Sequence, residues 1–304
     1  MTAAPVLVLH GRALDLAAPV LMGIVNATPD SFSDGGELAT TADQVARATA
    51  LAAEGAALVD VGGQSGITGV PEVDVAEEAD RVVPLVAALH AAAPDLPVSV
   101  DTYRPEVVGP VLAAGAALVN DVSGLRYPEI AGQVAEAGAG LVIMHTRAQP
   151  KVKVLDDHLY DEAGGVTADV VAFLEEKLAI ATGAGVPEEA IVLDPGPDFA
   201  KTPAQTVAVL RDLDRVRALG RPLLLAVSRK DFVGAVARRP PRQRLAGTLA
   251  AVGHVAGQPG TILRVHDVAA AADFLAVADV LAGRVTLAPE TRLPVELRRQ
   301  TPTR

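Results

Sequence analysis

Side chains that can bind or react recur along this chain at one kind of position, the carboxyl end of a short aliphatic run. The first run, at residues 20–25, stops at Asn26 and passes into a polar, glycine-rich loop. Later runs of strand length end in the same way. Besides Asn26, the residues at these ends are the 62–66 loop, Asp101, Asn120, Met144, His145, Asp194, Ser228, Arg229, Lys230, Arg264 and His266.

Each of these residues, taken alone, has an ordinary structural explanation. Asp101 or Asp194 could cap a helix, His145 could be a satisfied loop histidine, and Arg264 could be a charge on the rim. Their repetition at nearly every strand end favours a shared site, because the carboxyl ends of parallel barrel strands meet around one mouth. We therefore predict one site to which many strands contribute.

Four of the residues suit a flat heterocycle. Carboxylate and amide oxygens can accept hydrogen bonds from its N–H groups, while one cation can donate to a carbonyl oxygen or a ring nitrogen. The four residues are Asp101, Asn120, Asp194 and Lys230.

A second group, Arg264, His266, Asn26 and Ser228, suits phosphate oxygens. Ser228 comes just before a predicted helix, whose first N–H groups favour an anion. A metal site built from acids and histidines is the alternative, but these residues lack close ligand spacing. The pattern favours at most one Mg²⁺ that is carried by a diphosphate and held by Asn26.

About eight strand–helix units position these residues, with no change in composition between them. The alternation predicts an α/β fold, a closed (β/α)₈ TIM barrel, over a doubly wound sheet, which has no reason to stop at eight units. We expect one domain over residues 1–304, with the barrel at about 18–283. A hairpin near residues 6–16 could plug its N-terminal mouth, and the tail at 289–304 is expected to fray.

Two connections carry specific expectations. Residues 202–219 have the period of one helix. Residues 146–166 form a long polar connection, which predicts a mobile lid or an extra segment.

The composition limits the class of protein. The chain has 304 residues, no cysteine and a formal net charge of −11. Disulfides, thiolate metal sites and cysteine nucleophiles are therefore excluded, and broad nucleic-acid binding is disfavoured. Neither a membrane span nor a signal peptide is expected, so we predict a cytoplasmic protein.

Nine segments resemble, in order, the signatures of the dihydropteroate synthase family. They are GIVNATPDSFSDGG, DVGGQSGITG, SVDTYRPEVV, VNDVSGL, MHTR, LDPGPDFAK, AVSRKDFVG, RLAGTLA and ILRVHDV. The resemblance implies a TIM barrel, usually a homodimer. It also implies a transferase of folate synthesis that joins 6-hydroxymethyl-7,8-dihydropterin diphosphate to p-aminobenzoate and releases pyrophosphate, with no protein nucleophile and with lids at 30–36 and 62–69.

The same resemblance implies roles for individual residues. The pterin-binding residues would be Asp101, Asn120, Met144, Asp194 and Lys230. The diphosphate, with Mg²⁺, would be held by Asn26, Arg264 and His266. The p-aminobenzoate pocket would be shaped by Phe32, Ser65 and Ser228. The implied catalytic residues are Arg264, His266 and Lys230.

Two loops depart from the family pattern. Gly66 and Ile67 stand where the family usually has Thr and the Arg that clamps the diphosphate, and Arg147 is a candidate substitute. The pair Pro197 and Asp198 replaces two small residues and adds a carboxylate near the site. Two alternatives therefore stay open: a pterin-binding paralogue without this condensation or with another acceptor, and a different pterin-binding barrel, such as a methyltetrahydrofolate-dependent methyltransferase domain, which has no diphosphate to hold.

Overall fold

The structure, a computed structural model, describes residues 5–27, 40–64, 69 and 71–298. The strands within these ranges are β1 Val6–Leu9, β2 Arg12–Asp15, β3 Val20–Asn26, β4 Ala56–Gly62, β5 Val98–Asp101, β6 Leu118–Asp121, β7 Gly140–Met144, β8 Ile191–Asp194, β9 Leu223–Leu225 and β10 Thr261–Val265. The helices are α1 Thr41–Ala53, α2 Val75–Ala92, α3 Pro105–Ala113, α4 Glu129–Ala137, α5 Val166–Gly183, α6 Pro203–Arg211, α7 Leu213–Arg217, α8 Asp231–Ala237, α9 Leu245–Val255 and α10 Val268–Leu281.

The strands β3 to β10 close into a barrel in the order β10-β3-β4-β5-β6-β7-β8-β9. Every pairing in it is parallel, and a helix follows each strand. The predicted (β/α)₈ TIM barrel is therefore confirmed. All carboxyl ends lie at one mouth, as this fold requires.

Side-chain alternation divides each strand between the outer shell and the barrel interior. On β3, Leu21 and Val25 pack against the helices, while Met22 belongs to a separate interior cluster. The interior members from the other strands are Leu58, Leu118, Val142, Val192, Leu224 and Ile262. Since side chains alternate with period two, the next inward position on each strand lies one layer closer to the mouth.

The N-terminal hairpin, β1 and β2, contributes to the floor of the barrel interior. Leu7, Leu9 and Leu16 are buried in the same cluster as the interior strand residues. The hairpin is also held by its backbone, because His10 N donates to Gly138 O at 3.0 Å and Leu16 O accepts from Gly260 N at 2.8 Å. The expected hairpin plug at the N-terminal mouth is confirmed.

Residues 202–219 are not one helix, so that expectation is wrong. The chain leaves helical geometry at Asp212, with φ −120° and ψ 31°, and α6 and α7 lie on either side. Aspartate has a low helix propensity because its short side chain competes for backbone groups. Leu210 and Leu213, on either side of the break, both belong to the core.

The connection between β7 and α5 is irregular but attached to the barrel at several points. The Tyr160 hydroxyl, in a buried side chain, donates to Ala200 O at 2.7 Å, and Gln205 Nε2 donates to Asp156 O at 2.9 Å. Lys153 pairs with Asp231 at 3.1 Å. The segment is thus an extra segment packed on the mouth. Among the described residues, no helix is long and apolar enough to cross a membrane.

Shortening a buried side chain of the hairpin should destabilise the barrel. Leu16 has no exposed surface, and we expect Leu16→Ala to lower the free energy of unfolding by about 2–5 kcal/mol, since it removes buried methyl groups and leaves a cavity. Urea denaturation measures the change. Val6→Ala is the matched control, because Val6 lies on the same hairpin but is 40% exposed. Equal effects of the two substitutions would contradict the plug.

Candidate active site

An arginine placed between two carboxylates lies at the centre of the mouth. Arg264 extends from β10, with Nε 2.6 Å from Asp60 Oδ2 and Nη2 3.1 Å from Asp101 Oδ2. Asp60 is completely buried, whereas about a fifth of the Arg264 and Asp101 side chains is exposed. The guanidinium is thus fixed by the barrel interior on one side and reachable from the mouth on the other.

Asp60 was missed by the sequence analysis. It accepts hydrogen bonds from Ser99 Oγ at 2.6 Å and from Asn120 Nδ2 at 3.1 Å, as well as from Arg264. The available signal was an acidic residue between Val59 and Val61 inside an aliphatic strand, because a charge on a buried strand needs a partner. Asp60 therefore orients both Asn120 and Arg264.

Two carboxyl groups of the mouth, Asp101 and Asp194, have pKa values raised towards neutral pH. Burial raises the pKa of Asp101 to about 7; the charge of Arg264 opposes the rise, and the negative charge of Asp60 adds to it. Burial likewise raises the pKa of Asp194 to about 6, against the Gly196 N–H and the charge of Lys230. Both groups can therefore exchange between acceptor and donor near physiological pH.

Asp194 is held at the start of a tight loop. Its Oδ1 accepts from Gly196 N at 2.7 Å, and its backbone O accepts from His145 N at 2.8 Å. Gly196 has φ +65°, and a Cβ there would lie 2.1 Å from His145 O. Only glycine fits this position, which explains the Gly of the LDPGPDFAK segment.

Lys230 lies across the mouth from Asp101, on the loop after β9. Its ammonium is 4.3 Å from the centre of the Phe199 ring, within the range of a cation–π contact. Burial lowers the pKa of Lys230, against the attraction of Asp198 and Asp194.

Behind this loop lies a buried polar network that the sequence analysis did not predict. Lys201, 1% exposed, directs Nζ to His145 Nδ1 at 2.8 Å and donates to the carbonyl oxygens of Gly196 and Phe199. Burial lowers the pKa of His145 to about 3. The ring is therefore neutral: Nδ1 accepts from the lysine, and Nε2 donates to Asp169 at 2.9 Å.

Arg147, the candidate substitute for the missing second-loop arginine, belongs to the same network. Its guanidinium donates to both carboxylate oxygens of Asp169, at 2.9 and 2.7 Å. This bidentate pair directs it to the start of α5, away from the Arg264 cluster. The structure does not bring Arg147 together with the residues predicted to hold an anion.

Ser228 and His266 form the phosphate-suited side of the mouth together with Arg264. Ser228 Oγ is 2.9 Å from His266 Nδ1 and accepts from His266 N at 3.3 Å. Burial, with the charges of Arg229 and Arg264, lowers the pKa of His266 to about 4. In this neutral ring Nδ1 accepts from the serine hydroxyl, which leaves Nε2–H as a donor.

The other predicted residues lie as follows. Met144 is buried at the end of β7, in register with Asp194, and Asn26 is exposed at the end of β3. Phe32, Ser65, Gly66 and Ile67 lie outside the described residues. Within the described part of the chain, no group of three His, Asp or Glu side chains could hold a metal ion.

The connection between β7 and α5 forms one side of the pocket. Lys151, Gln64 and Tyr103 line the same pocket as Asp101. Lys151 O accepts from Gly69 N at 2.8 Å, which joins this connection to the end of the second loop. The pocket is therefore shaped in part by the connection that the sequence analysis interpreted as a lid or an extra segment.

Comparison with known proteins gives a consistent result. Residues 22–266 match the family model described as pterin binding enzyme. The chain is 40% identical over 264 residues to the dihydropteroate synthase of Synechocystis sp., which covers 86% of this chain and 89% of that protein. The relative from Escherichia coli is 37% identical over 259 residues, 85% of this chain and 90% of that protein.

Solved structures agree with these relatives. The dihydropteroate synthase of Xanthomonas albilineans with 4-aminobenzoic acid superposes with a TM-score of 0.83 and 41% identity, covering 92% of this chain and 99% of that chain. The structure of that enzyme with 7,8-dihydropteroate gives a TM-score of 0.80 and 42% identity, with coverages of 91% and 99%.

Asp60, the buried partner of Arg264, should contribute more to the stability of the protein than an exposed ion pair does. We expect Asp60→Ala to lower the free energy of unfolding by about 3–5 kcal/mol, since it leaves the Arg264 guanidinium without its buried partner. Asp95→Ala is the control; it breaks a pair with Arg12 in which both side chains are mostly exposed, and we expect less than about 1 kcal/mol. Urea denaturation compares them, and a small loss for Asp60→Ala would contradict the assignment.

Proposed function

This chain belongs to the family of pterin binding enzymes, and on that premise we propose that it is a transferase of the dihydropteroate synthase type. It condenses 6-hydroxymethyl-7,8-dihydropterin diphosphate with p-aminobenzoate and releases pyrophosphate. The observation that carries the proposal is one mouth that combines hydrogen-bond acceptors for a heterocycle with cations for an anion, around Arg264, Asp101 and Asp194.

The pterin ring is assigned to the acceptor-rich side. Asp101 and Asp194, when ionised, accept from its N–H groups, and Asn120 adds an amide held in place by Asp60. Lys230 donates to a ring carbonyl or nitrogen. Met144, buried at the end of β7, supplies an apolar contact. Such a combination of fixed polar groups and apolar walls suits a flat polar ring.

The diphosphate is assigned to Arg264 and to His266 Nε2–H, and Ser228 holds the His266 ring in this tautomer. The C–O bond to the pterin methylene breaks, and its electron pair leaves with pyrophosphate, whose growing negative charge these donors stabilise. The aniline nitrogen then forms the new C–N bond and loses a proton. No protein nucleophile takes part, so the side chains bind, orient and exclude water.

A magnesium ion fits this arrangement only as an ion carried by the diphosphate. The chemistry of the donor set supports this, because Asn26 offers one hard amide oxygen at the mouth end of β3, and Mg²⁺ commonly combines few protein ligands with phosphate oxygens and water. Bound there, Mg²⁺ would neutralise part of the leaving group's charge.

A homodimer is also part of the proposal, and the surface of two helices supports it. α9 and α10 pack on each other and are rich in apolar residues, yet Leu245, Val277 and Leu281 are 39%, 60% and 82% exposed. An apolar face of this kind favours a protein partner. A second copy of the chain is the proposed partner. The cytoplasmic location stays a prediction from the sequence.

One alternative has a specific observation in its favour. Ile67 stands at the position of the diphosphate-clamping arginine, and Arg147, its candidate substitute, is paired with Asp169. A paralogue that binds a pterin without this condensation would share both features. Assays of binding and of turnover separate the two functions.

Pyrophosphate release is the direct test. We expect the purified protein to release pyrophosphate from the pterin diphosphate only when p-aminobenzoate is present, because without the aniline nitrogen the broken C–O bond re-forms before pyrophosphate leaves. A coupled pyrophosphate assay measures it. Binding of 6-hydroxymethylpterin without release would favour the paralogue, and absence of both would refute the proposal.

Asp101→Asn should weaken 6-hydroxymethylpterin binding at least tenfold, or about 1.4 kcal/mol, since the amide offers an N–H where the ring needs an acceptor.

The affinity of the wild type for 6-hydroxymethylpterin should decrease as the pH is lowered. The ionised carboxylates bind the ring, so protonation of Asp101, with a pKa of about 7, and of Asp194, with a pKa of about 6, weakens binding. Calorimetry between pH 5.5 and 8 measures both effects. Unchanged affinity in the variant would remove Asp101 from the pterin site.

A further inference from the structure

We propose that Asp198 is a positioning residue for Lys230: it fixes the start of α8, the helix that follows Lys230, from a separate loop. The inference rests on the proposed function, because it takes Lys230 as a pterin-binding residue. Asp198 has no part in the reaction itself and acts only through its neighbours.

The first observation is a helix cap supplied across 33 positions of sequence. Lys230 is the N-cap residue of α8, and its own side chain makes no capping hydrogen bond. Asp198 takes that place: its carboxylate accepts from the backbone N–H of Asp231 and, at 3.4 Å, from that of Phe232. These are the first two N–H groups of the helix, which have no partner within it.

The second observation is that the capping carboxylate is itself held in place. Thr206 Oγ1 donates to Asp198 Oδ1 at 3.2 Å and accepts from Asp198 N at 3.1 Å. The backbone of Asp198 has φ +67°, a conformation that glycine adopts more readily. With both carboxylate oxygens engaged, the side chain of Asp198 is held in the position from which it reaches α8.

The third observation is that the loop carrying Asp198 also acts directly on the ammonium group of Lys230. The residue next to Asp198 is Phe199, whose ring lies against Lys230 Nζ, and Phe199 O accepts from the buried Lys201 at 3.1 Å. The charged groups that face Lys230 are the carboxyl groups of Asp198, Asp194 and Asp101 and the guanidinium of Arg264. Burial favours loss of the Lys230 charge, and the strongest attraction that opposes this loss comes from Asp198.

The same residue is where the sequence departs from the family pattern. A small residue at position 198 could neither cap α8 nor attract Lys230. The carboxylate of Asp198 therefore supplies both the contacts to the start of α8 and an attraction for Lys230.

The test compares Asp198→Gly, Asp198→Asn and the wild type by two measurements. The pKa of Lys230 in the free protein is measured by competitive acetylation with mass spectrometry, and 6-hydroxymethylpterin affinity by calorimetry. Asp198→Gly should lower that pKa and weaken binding by up to about fivefold, the factor expected when the whole cost of a lost helix cap falls on the bound state. Asp198→Asn, which keeps an acceptor but loses the charge, should lie between Asp198→Gly and the wild type.

Two further variants separate positioning from general stability. Asp74→Gly removes a helix-capping carboxylate on α2, where Asp74 Oδ1 accepts from Ala76 N at 2.9 Å; it should lower the melting temperature but leave the Lys230 pKa unchanged. Thr206→Val removes the hydroxyl that holds Asp198, so it should lower the Lys230 pKa and the pterin affinity, but less than Asp198→Gly does.

If both Asp198 variants keep the wild-type Lys230 pKa and pterin affinity, the inference is overturned, even where stability falls. Failure of the proposed function is a separate result, because the wild type would then bind no pterin while the Lys230 pKa still reports on Asp198.

Discussion

The ion pairs of Arg264 with Asp60 and Asp101 are the interaction on which the site depends. Arg264 lies on β10, whereas its partners lie on β4 and β5, two and three strands away in the barrel order. The guanidinium can reach both only across the interior of a closed barrel. A buried charge is costly without a partner, so closure of the barrel and ionisation of the cluster support each other.

The barrel interior is apolar at its N-terminal end and charged at its C-terminal mouth. The same short strands therefore form both the core and the site. At the N-terminal end, inward aliphatic side chains such as Leu58 and Ile262 pack with Leu16 of the hairpin. One inward position further on, the same strands carry Asp60 and Arg264. The apolar layer excludes water from below, which strengthens the electrostatic interactions above it and raises the carboxyl pKa values.

Neutral imidazoles at two places indicate how the mouth controls hydrogen-bond direction. His145 is fixed between Lys201 and Asp169, and His266 is fixed by Ser228. Each ring keeps one nitrogen as acceptor and the other as donor, so neither can rotate without losing a buried partner. Both rings therefore fix loops that carry site residues, and the His266 ring keeps its Nε2–H as a donor for the proposed diphosphate site.

The sequence by itself determined the barrel, the hairpin and the strand ends that carry Asp101, Asn120, Asp194 and Arg264, because aliphatic alternation and glycine punctuation are local signals. Only the tertiary structure decided which side chains meet. Asp60 and Lys201 acquire their partners, and Arg147 its pairing with Asp169, through contacts between residues distant in sequence. The break at Asp212 was also decided there, because the spacing of the buried residues Leu210, Leu213 and Val216 fits one continuous helix and gives no sign of it.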